Sequence, residues 1–181
     1  MLIPVAIGLS IGLATVAVTI ATRPAAFRIT RSVVLTAPVE ALFRHVNDFH
    51  LWQHWSPFVK LDPNMKVSFE GAAQGVGAVY HWSGNNKAGA GRMAITDSAE
   101  NRRVAIELSF SKPMKAQNTA EFSFEPVSGG TRVTWAMTGN NNFVGKAFAL
   151  IMDTDKMVGG SFEEGLNNLG VAASTKRSLA G

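Results

Sequence analysis

The sequence predicts an α+β domain in which an antiparallel sheet packs against a long C-terminal helix, preceded by one transmembrane helix. Three observations lead to this prediction. Short runs rich in strand-forming residues follow one another between residues 65 and 138. A long amphipathic stretch then covers residues 143–173, and the first 22 residues are almost wholly apolar. A sheet followed by a helix that must bury an apolar stripe favours a two-layer domain.

Residues 2–22 carry no charged side chain, and about 21 helical residues span roughly 31 Å, close to the hydrocarbon thickness of a bilayer. A cleaved signal peptide is the alternative, since Thr19-Ile20-Ala21 resembles a cleavage site. However, no Lys or Arg precedes the apolar run, and the run is long for a signal sequence. We therefore expect an uncleaved single-pass anchor.

Arginines at positions 23, 28 and 31 follow this segment directly. Because positive charge is enriched on the cytoplasmic side of membrane helices, we expect a cytoplasmic globular domain. The predicted organisation is a transmembrane anchor at 1–22, a folded domain at 23–175 and a tail at 176–181. The folded part is long enough to bury a core of its own.

The folded domain begins with a strand at 27–36 that is rich in β-branched residues. Ala37-Pro38 ends it, and proline suits the start of the helix predicted at 39–47. Residues 48–64 contain several aromatics and predict a short helix or loop. Six further strands are predicted at 65–70, 77–83, 89–98, 102–111, 116–125 and 131–138. Their short connections favour an antiparallel meander with one buried face.

The last long segment places apolar residues in steps of three, four or seven, as on one face of a helix. Asn140-Asn141-Asn142 can supply its N-cap. Gly159 and Gly160 interrupt it, and each costs about 1 kcal/mol in a helix relative to alanine. We therefore expect a kink at these glycines, or a close approach to another backbone.

Composition narrows the chemistry. The chain has no cysteine, which excludes disulfides and thiolate catalysis, and a net charge of +4 without a long basic run, so no nucleic-acid partner is expected. His45, His50 and His54 lie close in sequence, but no third ligand stands at a recognisable offset, so we expect neither a metal site nor a cofactor. Gly75-x-Gly77 precedes a strand, which argues against dinucleotide binding.

Six short motifs occur in order along the domain. They are Arg31-Ser32, Ala37-Pro38-x-Glu40, Trp52-x-x-Trp55-Ser56-Pro57, Gly75-x-Gly77 before Tyr80-x-Trp82, Gly130-Thr131-x-Val133-x-Trp135, and Phe162-Glu163-x-Gly165-Leu166-x-x-Leu169. Together they resemble the START-like/Bet v 1-like superfamily, and within it the polyketide cyclase/dehydrase (SRPBCC) family. The resemblance covers residues 27–172. It implies the helix-grip fold, in which a curved sheet surrounds the C-terminal helix and the space between them holds a hydrophobic ligand.

The candidate ligand-binding residues are large apolar side chains on the predicted inner faces. A cavity wall of this kind suits an apolar or aromatic ligand, although the same aromatics could simply fill the core. On the second of the six predicted strands, the period of two places Tyr80 and Trp82 on one face and His81 on the other, and we expect the bulkier pair to face inwards. The set is Trp52, Trp55, Tyr80, Trp82, Met93, Trp135, Met137, Phe162 and Leu166.

Three functions stay open at this point. The favoured one is a membrane-anchored domain that binds a hydrophobic small molecule such as a lipid, an isoprenoid or quinone, or a polyketide-like ring system. The second is a polyketide cyclase or dehydratase that moves protons with a pocket histidine or with Glu163, the weak catalytic candidate. The third is a partner-binding membrane protein with a filled interior. Whether the protein is an enzyme is therefore not decided by its sequence.

Overall fold

A seven-stranded antiparallel sheet is the framework of the protein in the computed structural model, which describes residues 14–151 and 153–175. The spatial order of the strands is β1-β7-β6-β5-β4-β3-β2, and every neighbouring pair is antiparallel. The bounds are β1 Ala26–Leu35, β2 Lys66–Gly71, β3 Ala78–Ser83, β4 Ala90–Ala99, β5 Arg103–Lys112, β6 Ala116–Val127 and β7 Gly130–Asn140.

Strands β2 to β7 form the predicted meander, because short turns join each to the next. β1 instead pairs with β7 at the far edge, with Ala26 opposite Asn140 and Leu35 opposite Thr131. The chain therefore crosses the whole sheet between β1 and β2. Two register shifts in β4, at Ala90/Gly91 and Ile95/Asp97, are irregularities of the kind that bend a sheet.

Helices cover one face of this sheet. α1 spans Val39–Asn47, as predicted, and two 3₁₀ helices, Phe49–His54 and Pro57–Leu61, occupy the aromatic segment that follows. α2 spans Phe143–Ile151 and α3 spans Thr154–Thr175. The α+β class and the C-terminal helix packed on the sheet are thus confirmed.

The break in the C-terminal helical segment lies before α3 and not at Gly159-Gly160, where we expected a kink or a close approach. Asp153 caps the new helix, since its Oδ1 accepts a hydrogen bond from the backbone N–H of Lys156 at 2.9 Å. Asn142 caps α2 by accepting from the N–H of Gly145 at 2.9 Å, which confirms the predicted asparagine cap. α3 runs through both glycines without interruption.

Gly159 leaves room for the guanidinium group of Arg31 on β1, which lies against it. Arg31 Nε donates to Glu163 at 2.7 Å and Nη2 donates to Asp155 at 2.8 Å, one helical turn on either side of the glycine. A side chain at position 159 would overlap this guanidinium. The close approach expected here is thus made to a side chain, and it fastens α3 to β1.

The N-terminal segment is described only in part. Residues 14–22 are helical, whereas residues 1–13 of the predicted anchor and the 176–181 tail lie outside the described residues. Among the described helices, none has the length and apolar character needed to cross a membrane. The segment ends next to α2, where the Lys146 ammonium donates to the carbonyl of Ala21 at 3.1 Å.

Candidate functional site

A cavity of about 510 Å³ lies between the sheet, the 3₁₀ helices and the first half of α3. Its walls are almost entirely apolar, and its volume is within the range of small-molecule sites. Its exposed lining residues, which mark the mouth, are Phe58, Leu61, Lys87 and Met157. The remaining lining residues are Trp52, Ser56, Val59, Met65, Tyr80, Trp82, Met93, Ile106, Leu108, Phe110, Ala120, Trp135, Met137, Val158, Ser161 and Phe162.

Strand parity determines which side chains reach the cavity. Tyr80 and Trp82 face it, as expected, while His81 lies on the opposite face, where its Nε2 is 3.1 Å from Oε2 of Glu70. The same alternation on β5 turns Ile106 inwards and leaves Glu107 exposed. The strands therefore contribute an apolar wall to the cavity, while His81 and Glu107 lie on the other side of the sheet.

Two indole rings are fastened to the end of α1. Trp52 Nε1 donates to the carbonyl of Val46 and Trp55 Nε1 to that of His45, both at 3.0 Å. These carbonyls belong to the last turn of the helix, where acceptors are commonly capped by groups outside it. The bonds therefore cap α1 and hold Trp52 rigidly in the cavity wall.

Trp135 lies at the centre of the aromatic cluster. It stacks on Phe162 of α3 with ring centroids 4.1 Å apart and an interplanar angle of 7°. Gly165 permits this close packing, because a Cβ there would lie 2.8 Å from Cζ3 of Trp135. Among the described residues, the buried indole N–H of Trp135 finds no hydrogen-bond partner, an arrangement that costs stability wherever it occurs.

Polar groups are few in the cavity. Apart from the exposed Lys87 and the indole N–H groups of the tryptophans, the described lining offers the hydroxyls of Ser56, Tyr80 and Ser161. Burial raises the pKa of Tyr80 above its ordinary value of 10.0, so its phenol is neutral at pH 7. The Ser161 hydroxyl faces the carbonyl of Met157 at 3.4 Å. Such a lining favours an apolar ligand body.

Seven of the nine candidate ligand-binding residues line the cavity, namely Trp52, Tyr80, Trp82, Met93, Trp135, Met137 and Phe162. Trp55 and Leu166 do not line it. They are completely buried in the core beneath, where Trp55 packs edge-on against Phe122 with centroids 6.0 Å apart. Both point into the interior, as the pattern indicated, but lie deeper than the cavity floor.

Glu163 lies outside the cavity lining. Its carboxylate is engaged by Arg31, and its side chain is 57% exposed. The histidines are also apart from the cavity: His45 is buried with Nδ1 2.7 Å from the carbonyl of Ala41, and His50 stacks on Phe69. Within the described part of the chain, no three His, Asp or Glu side chains are grouped so as to hold a metal ion.

Several lining residues were not among the sequence candidates. Ile106, Leu108, Phe110 and Ala120 alternate with outward-facing residues, so strand parity could have identified them. Phe58 and Leu61 belong to the short 3₁₀ helix Pro57–Leu61, and Met65 belongs to the connection from it to β2. This short segment has no periodic signal. Lys87 belongs to a loop, where no periodic pattern predicts the direction of a side chain.

The sequence of residues 26–173 matches the family model described as polyketide cyclase / dehydrase and lipid transport. The chain belongs to this family. The match covers the whole sheet and all but the last residues of α3, and it confirms the START-like/Bet v 1-like resemblance. Among curated proteins, none matches the chain in sequence.

Solved structures share the fold at low identity. A protein from Mesorhizobium loti has 15% identity and a TM-score of 0.58, with 81% of this chain and 96% of that chain covered. The Aha1 dimer from Colwellia psychrerythraea has 17% identity and a TM-score of 0.57, with 81% and 96% covered. Ara h 8.0201 has 14% identity and a TM-score of 0.56, with 82% and 99% covered. At these identities the likeness establishes the helix-grip fold alone.

Proposed function

We propose that this family member binds a hydrophobic small molecule, such as a lipid, an isoprenoid or quinone, or a polyketide-like compound, between its sheet and α3. The observation that carries the proposal is the apolar cavity of about 510 Å³. Protein interiors are normally packed as densely as organic crystals, so an unfilled apolar space of this size is best explained as room for a ligand. The third hypothesis, a partner-binding protein with a filled interior, does not account for this space.

The binding hypothesis is preferred to the cyclase or dehydratase alternative because of what the lining contains. No carboxylate and no histidine stands among the described lining residues, whose titratable side chains are the buried Tyr80 and the exposed Lys87. General acid–base catalysis needs a titrating group within hydrogen-bond reach of the substrate. Glu163 is held in its ion pair with Arg31 outside the lining.

We also propose that the domain works at a membrane, anchored by residues 1–22 with the globular part on the cytoplasmic side. The uncharged N-terminal run supports this proposal, and so does the surface of α2. That nine-residue helix exposes Phe143, Val144, Phe148 and Leu150, and it contacts the end of the N-terminal segment through Lys146. α3, which carries Met157 at the cavity mouth, begins directly after α2. An apolar ligand could therefore pass between bilayer and cavity.

Native mass spectrometry of the gently purified full-length protein tests the binding proposal. We expect a reproducible added mass that extracts into organic solvent. Ser161→Phe should abolish it, because the new ring fills the cavity. Ser174→Phe is the matched control: this serine is on the same helix and makes the same hydroxyl bond to the carbonyl four residues earlier, but is exposed elsewhere. Equal occupancy in both variants would refute cavity binding.

Membrane placement needs a separate test. Because the chain has no cysteine, Asn86→Cys supplies a unique label in an exposed loop. In spheroplasts, a membrane-impermeant maleimide should label this position only after lysis. Alkaline extraction should leave the wild type in the membrane fraction and release a Leu13→Asp/Val16→Asp variant, since charges within a membrane helix oppose insertion. Labelling before lysis would overturn the cytoplasmic orientation, and extraction of the wild type would overturn the anchor.

A further inference from the structure

Lys87 carries the only charge among the described residues that line the cavity. It belongs to the loop between β3 and β4 and is exposed at the mouth, beside the apolar wall that includes Trp82 and Phe110. If a ligand in the cavity extends to the mouth beside the loop between β3 and β4, its outer end therefore lies near the Lys87 ammonium group.

The loop that carries Lys87 is held in place by several bonds. Asn85 Oδ1 accepts from the N–H of Lys87 at 2.8 Å and from that of Ala88 at 3.1 Å. The N–H of Asn85 itself donates to Asp62 Oδ2 at 2.7 Å. Trp82 Nε1 donates to the carbonyl of Ala88 at 3.1 Å, so the loop is tied to the cavity wall itself. The backbone position of Lys87 is thus organised before a ligand arrives.

The ammonium group of Lys87 has no salt-bridge or hydrogen-bond partner within the described chain. Lys60, which lies in the 3₁₀ helix on the same side, is instead paired with Glu164 at 2.8 Å. The nearby Asp62 carboxylate is occupied by the backbone N–H groups of Asn64 and Asn85. Among the described residues that line the cavity, Lys87 is therefore the cation that is available to an incoming anion.

We infer that the ligand is an amphiphile with an apolar body and an anionic head, a carboxylate or a phosphate ester, whose head pairs with Lys87. This inference rests on the proposed binding function and narrows it. The apolar body occupies the space between Trp82, Trp135 and Phe162, where none of the described lining residues is charged. The head stays at the mouth, where water still reaches it, so the charge need not be fully desolvated.

The test compares cis-parinaric acid with its methyl ester, which share one conjugated chain and differ in charge. Binding is measured as energy transfer from tryptophan to probe, with full-length protein in a fixed concentration of non-ionic detergent. The readout is the acid-to-ester affinity ratio of each variant relative to wild type, so that partitioning into detergent cancels. The Ser161→Phe variant supplies the background of probe that is not in the cavity.

Lys87→Glu should lower the ratio by about 1.5- to 5-fold, the range that one exposed ion pair contributes. Lys66→Glu is the control, since it makes the same charge change on the exposed edge strand β2 but does not line the cavity. An unchanged ratio in Lys87→Glu, or an equal fall in Lys66→Glu, would overturn the inference and leave apolar binding intact. Failure of the wild type to bind either probe above the Ser161→Phe background would overturn both proposals. Competition against bound cis-parinaric acid then distinguishes the two heads. Dodecyl phosphate should displace it more strongly than a carboxylate of the same chain length if the head is a phosphate ester, and less strongly if the head is a carboxylate.

Discussion

Replacing Gly159 with alanine perturbs the contact between Arg31 and α3. A Cβ atom at this position would lie 2.7 Å from Nε of Arg31 and closer still to Cζ and Nη2. The guanidinium cannot simply move aside, because it donates to Asp155, to Glu163 and to the carbonyl of Thr30. Alanine at 159 must therefore displace the group and break these bonds.

The adjacent glycine provides the matched control. A Cβ at Gly160 would meet nothing within 4 Å. Gly160→Ala should therefore stabilise the protein by about 1 kcal/mol, the difference in helix propensity. In a domain of this size that raises the Tm by about 2–4 °C. Gly159→Ala receives the same propensity gain but loses the Arg31 contacts, so we expect it to melt below wild type.

Thermal unfolding of the full-length protein, followed by tryptophan fluorescence, measures both variants. A third measurement isolates the cause: in an Arg31→Ala background the overlap is gone, and Gly159→Ala should then stabilise about as much as Gly160→Ala. If Gly159→Ala raised the Tm as Gly160→Ala does in the wild-type background, Arg31 would not be fastened against α3 and the reasoning would fail.

Three further predictions follow from the same packing. Arg31 lowers the pKa of Asp155 below its ordinary value of 3.8. The contribution of Asp155 to stability is therefore present above pH 3.8 and is lost as the pH falls through the lowered pKa. The Tm advantage of wild type over Asp155→Asn should shrink in acid, and a Tm difference that stayed constant with pH would contradict this. In a denaturant titration, Leu166→Ala should lower the free energy of unfolding by about 2–5 kcal/mol, because Leu166 is completely buried. Met157→Ala at the cavity mouth should change the affinity for the probe but have little effect on unfolding. The reverse pattern would mean that Met157 belongs to the core and Leu166 to the cavity. Trp82→Ala should weaken binding of an apolar fluorescent probe and His81→Ala should leave it unchanged, since the two residues lie on opposite faces of β3; equal losses would mean that the parity assignment is wrong.

Local pattern predicted the elements of this fold well, and the inward faces of its strands, because side-chain direction along a strand depends only on the period of two. Tyr80 and Trp82 illustrate this, since their alternation with His81 was enough to orient them. The period of two does not show whether an inward-facing side chain reaches the cavity or lies in the core beneath it. Trp55 and Leu166 point inwards like their neighbours, yet they belong to the solid core rather than to the cavity wall.

Long-range partners were beyond the reach of pattern analysis. The carboxylates of Asp155 and Glu163 lie on one face of α3, because both residues stand four positions from Gly159, one before it and one after it. The glycine leaves the space between them without a side chain. That spacing signals a site for a cation, but the cation is Arg31, far away in sequence on β1. The same distance hides the pairing of β1 with β7, and without it Glu163 could be mistaken for an unpaired carboxylate at the edge of the buried stripe.

The pairing of the first strand with the last also bears on how the protein is made. Ala26 finds its partner Asn140 only after the entire meander has been synthesised, which takes on the order of ten seconds at ordinary rates of translation. During that interval β1 has no neighbour on the sheet, and a solitary strand of this kind readily pairs with other chains.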